Sequence, residues 1–362
     1  MTTSEKKNKL KSDIEIINKL ILQNANNSLI SIILYGSYGR DEGAFFKKEQ
    51  KVCVYNDYDL LLVVKRIMPP KDLLKIKQLL SDNLDIKWID ISQKTIPKLK
   101  KLKPIIFNFD LKYGSKVIWG DKNVFNHIPN FTSNQLTLWD AETLYFTRLF
   151  PFFGSLNPNY NDEVLTGEDS RFFRNQMSKA ILAIVDVLLL QKNQYHSSYL
   201  ERVSRLKLFY PREENLILLS NWALKEKLNP TDPIMNKKEI ETLIFKVSTE
   251  YIKEMYIALS KFYGKKILTT DDLRKAKSYS LKELTIAFKV FIKSRSLKQY
   301  YLQQKILFAQ SYYVESITAE NQHKKKCLEK CLVIINRISS KENSEKISQN
   351  KIRSILIKLS RL

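Results

Sequence analysis

Apolar residues early in the chain fall at Leu10, Ile14, Ile17, Leu20 and Ile21, a three-and-four spacing that predicts a helix over 4–23 with one buried face. The pattern then changes to short continuous runs. Ser31–Tyr35 stops at Gly36 and Leu60–Val64 follows a polar, lysine-rich stretch over 43–55, so the two runs read as buried strands with a loop or hairpin between them. After Pro69-Pro70 helical spacing returns over 71–84, through Leu73, Leu74, Ile76, Leu79 and Leu80. A third strand is expected at Ile86–Ile91, a short basic helix at 94–103 and a fourth strand at Val117–Trp119. Helices and strands alternating in this way predict an α/β domain.

From Thr132 onward glycine is scarce and the period is helical throughout, over 138–150, 171–192, 214–228, 237–262, 270–291 and 300–332. Pro151 and the Asn157-Pro158-Asn159 loop interrupt the pattern near its start. No repeat of fixed period runs through it, which disfavours a solenoid. The expected organisation is this first domain over 1–131 and an all-α helical bundle over 132–362. The last part, 341–362, is a lysine-rich amphipathic segment expected to pack on the bundle or fray.

With 362 residues, 44% of them hydrophobic and 11% aromatic, the chain has material for two cores, and disorder is excluded as the general state. Its longest apolar run, Ala180–Leu190, is broken by Asp186, and Met1–Lys11 has no signal-type apolar core. The expectation is a cytoplasmic protein with no membrane partner. The net charge of +23 invites a polyanion, yet the first 130 residues contribute +9 and the remainder +14, nearly in proportion to length. Lysines outnumber arginines 48 to 13 and no dense basic arm stands out, so a nucleic-acid partner stays open beside a small anionic one. Cys327 and Cys331 share a helix face with His323 nearby, but a closed zinc site needs four ligands, and ordinary packing of the thiols is the expectation.

The chemistry concentrates in Leu34-Tyr-Gly-Ser-Tyr-Gly-Arg-Asp-Glu-Gly43 and Asn56-Asp-Tyr-Asp-Leu60. Asp57 and Asp59 stand two apart at the entry to a strand, so both carboxylates lie on one side of it. Such a pair repels itself unless a cation intervenes, and magnesium, a hard ion that takes oxygen ligands, suits it. Gly36-Ser37 ends the preceding strand, where a sharp turn presents N–H groups and a hydroxyl to phosphate, with Arg40 close enough to neutralise charge.

These motifs together resemble the Gly-Ser and Asp-x-Asp signatures of polymerase-β-like nucleotidyltransferases, over about residues 30–121. That superfamily includes aminoglycoside nucleotidyltransferases, poly(A) and CCA-adding polymerases and cyclic-dinucleotide synthases. The resemblance implies an α+β first domain with a short mixed sheet and two magnesium ions on Asp57, Asp59 and a third carboxylate, with Gly36 and Ser37 as phosphate contacts and a nucleoside triphosphate as partner. Asp90, an acid inside the apolar Ile89-Asp-Ile91 run, is the expected third carboxylate, with Asp110 as its rival. In the helical half, Arg171, Asn175, Lys179 and Asp186 form a polar stripe, a solvated face in the plainer reading. Lys179 and Ser198-Tyr199 resemble the lysine and Ser-Tyr that reach the triphosphate in the superfamily. The Ser37-to-Asp57 spacing is longer than in the small transferases, so it assigns no subfamily, and Asp41 and Glu42 are read as caps or further contacts.

The implied activity is transfer of a nucleoside monophosphate to an acceptor hydroxyl on a small molecule, a protein or an RNA end, with release of pyrophosphate. Synthesis of an oligonucleotide second messenger differs only in acceptor, and a non-catalytic nucleotide or RNA binder is disfavoured by the intact carboxylates. An RNA-cleaving toxin is rejected, because no arginine precedes His127, His196 or His323 by four to six residues.

Overall fold

The computed structural model describes residues 2–25, 28–55, 57–86, 88–156, 164–294, 296–339 and 349–360. In chain order the first elements are α1 (Thr3–Asn24), β1 (Leu29–Tyr35), α2 (Gly36–Gly39), β2 (Phe45–Lys48), β3 (Lys51–Val54), β4 (Tyr58–Val64) and α3 (Pro70–Leu84). They are followed by β5 (Ile89–Lys94), α4 (Ile96–Leu99), α5 (Ile106–Tyr113) and β6 (Lys116–Gly120). Then come α6 (Trp139–Thr147), α7 (Phe150–Gly154), β7 (Val164–Leu165), α8 (Gly167–Gln191), α9 (Tyr199–Phe209), α10 (Glu214–Leu228) and β8 (Met235–Asn236). The chain continues as α11 (Lys237–Tyr263), α12 (Thr270–Ser278), α13 (Leu281–Ser294), α14 (Lys298–Thr318), α15 (Asn321–Ser339) and α16 (Gln349–Leu359).

The fold is α+β with a small mixed sheet and many helices, in two compact units. The first comprises 1–137, 192–209 and 227–230; the second comprises 138–191, 210–226 and 231–362. The first unit thus gathers two later segments. Lys6 Nζ donates to Asn229 Oδ1 at 3.0 Å, and Arg202 of α9, almost fully buried, donates to Asp110 of α5 at 2.9 and 3.2 Å.

In the first unit four strands run in the order β5-β4-β1-β6, with β4 and β5 parallel and β1 antiparallel to both its neighbours. Alternation sorts the side chains: Ile32 and Leu34 of β1 join Leu60, Leu62 and Val64 of β4 in one core with Ile17 and Ile21 of α1 and Ile76 and Leu80 of α3. The opposite parity carries Tyr35, Asp59 and Asp90, which share a register row across β1, β4 and β5. Helix α1 starts on a capping box in which Thr2 and Glu5 exchange side-chain and backbone hydrogen bonds. Tyr58, fully buried, is satisfied by donating to Asp13 at 2.7 Å. The lysine-rich stretch forms the β2–β3 hairpin.

The second unit is built of helices, with α8 and α11 packed together and α14 and α15 forming a helical hairpin. Among its described residues the only sheet is the β7–β8 pair. Three expected helices are broken. The 138–150 helix ends at Thr147, the 270–291 pattern splits after Ser278 and the 300–332 pattern splits after Thr318. The expected 94–103 helix is a single turn, α4. Asn56, the Asn157-Pro158-Asn159 loop and residues 341–348 lie outside the described residues. No helix among the described residues is long and apolar enough to cross a membrane.

Candidate active site

Strand β1 delivers Tyr35 and then Gly36, whose φ of +67° is open to glycine and strained for other residues. The backbone there lies against the Asp59 carboxylate, so that a Cβ on Gly36 would sit 1.9 Å from Asp59 Oδ2. Gly36 is therefore needed twice, for its dihedral and for its missing side chain. Ser37 follows, nearly buried, in the single turn of α2. Asp59 on β4 has Tyr35 of β1 as its register partner on one side and Asp90 of β5 as its partner across the parallel pair. Asp57 enters two residues earlier, with the same parity.

Burial pushes the Asp59 carboxyl up to about 7, and the charges of Asp57 and Asp90 push in the same direction. Lys227 and Arg40 oppose the shift without cancelling it. Burial likewise raises the Tyr35 phenol, helped by Asp59, Asp90 and Asp57 and opposed by a hydrogen bond with Ser92. Three acids and a phenol thus feel one another at one end of the sheet, with a net negative field that the chain leaves under-compensated. Among the described residues, the His/Cys/Asp/Glu set whose ligand atoms all lie within 4.8 Å is Glu315, His323 and Cys327, so the three aspartates stand further apart than that.

Asp90 is exposed while Ile89 and Ile91 are buried, so the expectation that its burial would be costly is corrected. What singles it out is its register with Asp59. Asp110 lies on α5 and is answered by Arg202 at 2.9 Å, Tyr195 at 3.1 Å and Arg40 at 3.4 Å. It is a neutralised anchor for α9.

Arg40 also donates to Glu42 at 3.2 Å and stacks over the Tyr199 ring, 4.9 Å from its centroid. Glu42 is buried and accepts from Ser198 Oγ at 2.7 Å and from the Leu200 amide at 3.2 Å. Glu42 therefore caps α9, a later helix and not the one after the Gly-Ser turn. Asp41 takes a positive φ and pairs with Lys116. Ser198 and Tyr199 belong to this network, which locks 192–209 onto the first unit.

No protein-family model and no curated protein matches the chain. Among solved structures it is similar to the spectinomycin adenyltransferase AAD(9) from Enterococcus faecialis, solved with ATP and spectinomycin. The two are 12% identical, with 66% of this chain and 98% of that chain covered, at a TM-score of 0.38. The chemistry of the site rests on its own residues.

Lys179 lies on α8 in the second unit. The stripe expected to be solvated is mostly interior: Asn175 and Asp186 are buried and Arg171 pairs with Asp232. The lysine whose charge acts on Asp59 is Lys227, buried and part of the first unit. The sequence reading missed it. Its signal was faint, a lysine at the end of a helix just before Asn229-Pro230, where exposure is the ordinary outcome.

Proposed function

We propose that the first unit is the centre of a magnesium-dependent nucleotidyltransferase that moves a nucleoside monophosphate from a nucleoside triphosphate to an acceptor hydroxyl, releasing pyrophosphate. The observation that carries this reading is the row of Asp59 and Asp90, with Asp57 alongside, set against the bare backbone of Gly36, with the Asp59 carboxyl pushed up by burial and by the charges of Asp57 and Asp90.

The donor set fits hard divalent cations: it is all carboxylate oxygen, with more negative charge than Lys227 and Arg40 offset. Asp57, Asp59 and Asp90 would hold them, and two such ions supply the neutralisation of a triphosphate and the activation of an attacking hydroxyl. The chain's own residues do the rest. Gly36 lets a phosphate approach the backbone closely and Ser37 offers a hydroxyl beside it. Asp90, exposed at the strand edge, accepts the proton of the acceptor hydroxyl. The polyphosphate role expected of Lys179 is better supported for Lys227, whose charge already acts on Asp59. Arg40, Ser198 and Tyr199 serve by fixing α9 against the Gly-Ser turn, with Arg40 adding positive charge near Asp59.

The test is incubation of the protein with each α-labelled nucleoside triphosphate and magnesium, with and without a cell extract as acceptor source, beside Asp57→Ala. We expect label in a new product and its loss by about a thousandfold in the variant. Product formed without extract would make the nucleotide its own acceptor, the second-messenger outcome. Absence of transfer from every nucleotide, with nucleotide binding retained, would overturn the enzymatic reading in favour of a binder.

A further inference from the structure

The hairpin of α14 and α15 holds a second group of metal-type donors, in the second unit and separate from the nucleotide chemistry. His323 and Cys327 are four apart on α15 and so share a face, and Glu315 comes from the last turns of α14. His323 Nε2 is 2.7 Å from Glu315 Oε1 and 3.6 Å from Cys327 Sγ, and all three donor atoms lie within 4.8 Å of one another. A tetrahedral zinc ion has bonds of about 2.3 Å to sulfur and about 2.0–2.1 Å to imidazole nitrogen, which separates those two ligands by about 3.6 Å. The Cys–His pair already stands at that separation. The Glu–His pair is closer, as a hydrogen bond requires, and needs to open by about half an ångström to admit an ion. His323 is 47% exposed and free to make that adjustment.

The carboxylate is held ready. Glu315 Oε2 accepts from the Thr270 amide at 2.7 Å and from the Tyr256 hydroxyl at 3.2 Å, which fixes its plane and turns Oε1 toward His323. Glu315 is buried, with His323 and the Cys327 thiol facing it beside these two donors. A buried carboxylate so placed calls for a positive charge, and the imidazole with a proton or a metal is what faces it.

We propose that Glu315, His323 and Cys327 bind a thiophilic divalent cation of the zinc type, with a fourth coordination position open to solvent beside His323. A sulfur and an imidazole select against magnesium and calcium. Three protein ligands with one open position is the arrangement of sites that keep an exchangeable water or ligand. Cys331, one turn further on and fully buried, lies outside the set.

Titration of the metal-stripped full-length protein with Co²⁺ tests it, because a cobalt–thiolate bond absorbs in the near ultraviolet and a tetrahedral site gives intense visible bands. We expect both signals, displaced by Zn²⁺, retained in Cys53→Ser and Cys331→Ser and without the thiolate band in Cys327→Ser. His323→Ala, at an exposed position that leaves the fold intact, should weaken Co²⁺ binding at least about tenfold. No thiolate band in the wild type, or one undiminished in Cys327→Ser, would overturn the proposal.

Discussion

In the second unit Glu142 is buried and receives Lys277 and Lys282, with Tyr263 donating at 2.8 Å, while Lys277 also bridges to Glu283 at 2.5 Å. In the first unit Asp59 stands in register with Asp90 beside Asp57, and Lys227 and Arg40 offset only part of the negative charge. Burial would raise both carboxyls, but Lys277 and Lys282 outweigh it at Glu142, whose pKa is lowered, whereas that of Asp59 is pushed up to about 7. The contrast separates two uses of interior charge. An acid answered within the chain is structural, and an acid left short of positive charge waits for something the chain does not supply.

The sharpest break of that comparison is Glu142→Gln. The substitution keeps the shape but leaves Lys282 without its carboxylate, and removing one partner of a buried pair costs about 3–5 kcal/mol. Denaturant unfolding should show a loss of that size; a loss under about 1 kcal/mol would mean the cluster is solvated and the contrast false. A smaller effect is expected at Gly36→Ala, which puts a side chain at φ +67° and against Asp59 Oδ2. Stability should fall by about 2–3 kcal/mol, and magnesium affinity with it, since the carboxylate must move. Magnesium binding unchanged in a folded Gly36→Ala protein would separate that backbone from the site.

Much of the first unit was legible because its signals are local. Continuous apolar runs marked β1 and β4, the period-two placement of Asp57 and Asp59 put both on one parity, and Gly36 stood where a strand had to turn. Asp90 is exposed, against the burial expected of it, and its register with Asp59 comes from a parallel pairing that no local pattern specifies. The return of 192–209 and 227–230 to the first unit depends on contacts such as Arg202–Asp110 and Lys6–Asn229, made across long stretches of sequence. Lys227 was invisible for the same reason. The break between α12 and α13 had a signal, Ser280 three residues before Glu283 in the manner of a capping box, and Ser280 Oγ does accept from the Lys282 amide. The break at Ala319-Glu320 had neither glycine nor proline to mark it.

The smallest expected effect isolates Asp59 itself. Its carboxyl titrates near 3.8 when unfolded and near 7 in the metal-free fold, so the fold binds that proton more tightly than the unfolded chain does. The associated stability is fully present below about pH 4 and is lost as pH rises through about 7. Other groups shift on folding too, among them His196, whose pKa burial lowers, so the raw profile mixes several slopes. Subtracting the profile of Asp59→Asn removes what the two proteins share. With allowance for the partial exposure of Asp59, the difference should fall by about 2 kcal/mol between pH 4 and pH 8 in chelator. Magnesium should then restore stability to the wild type at pH 8 and leave Asp59→Asn unmoved, because a ligand stabilises only the fold that binds it. A flat difference profile would place Asp59 among the compensated acids, alongside Glu142, and remove the physical reason for expecting a cation there.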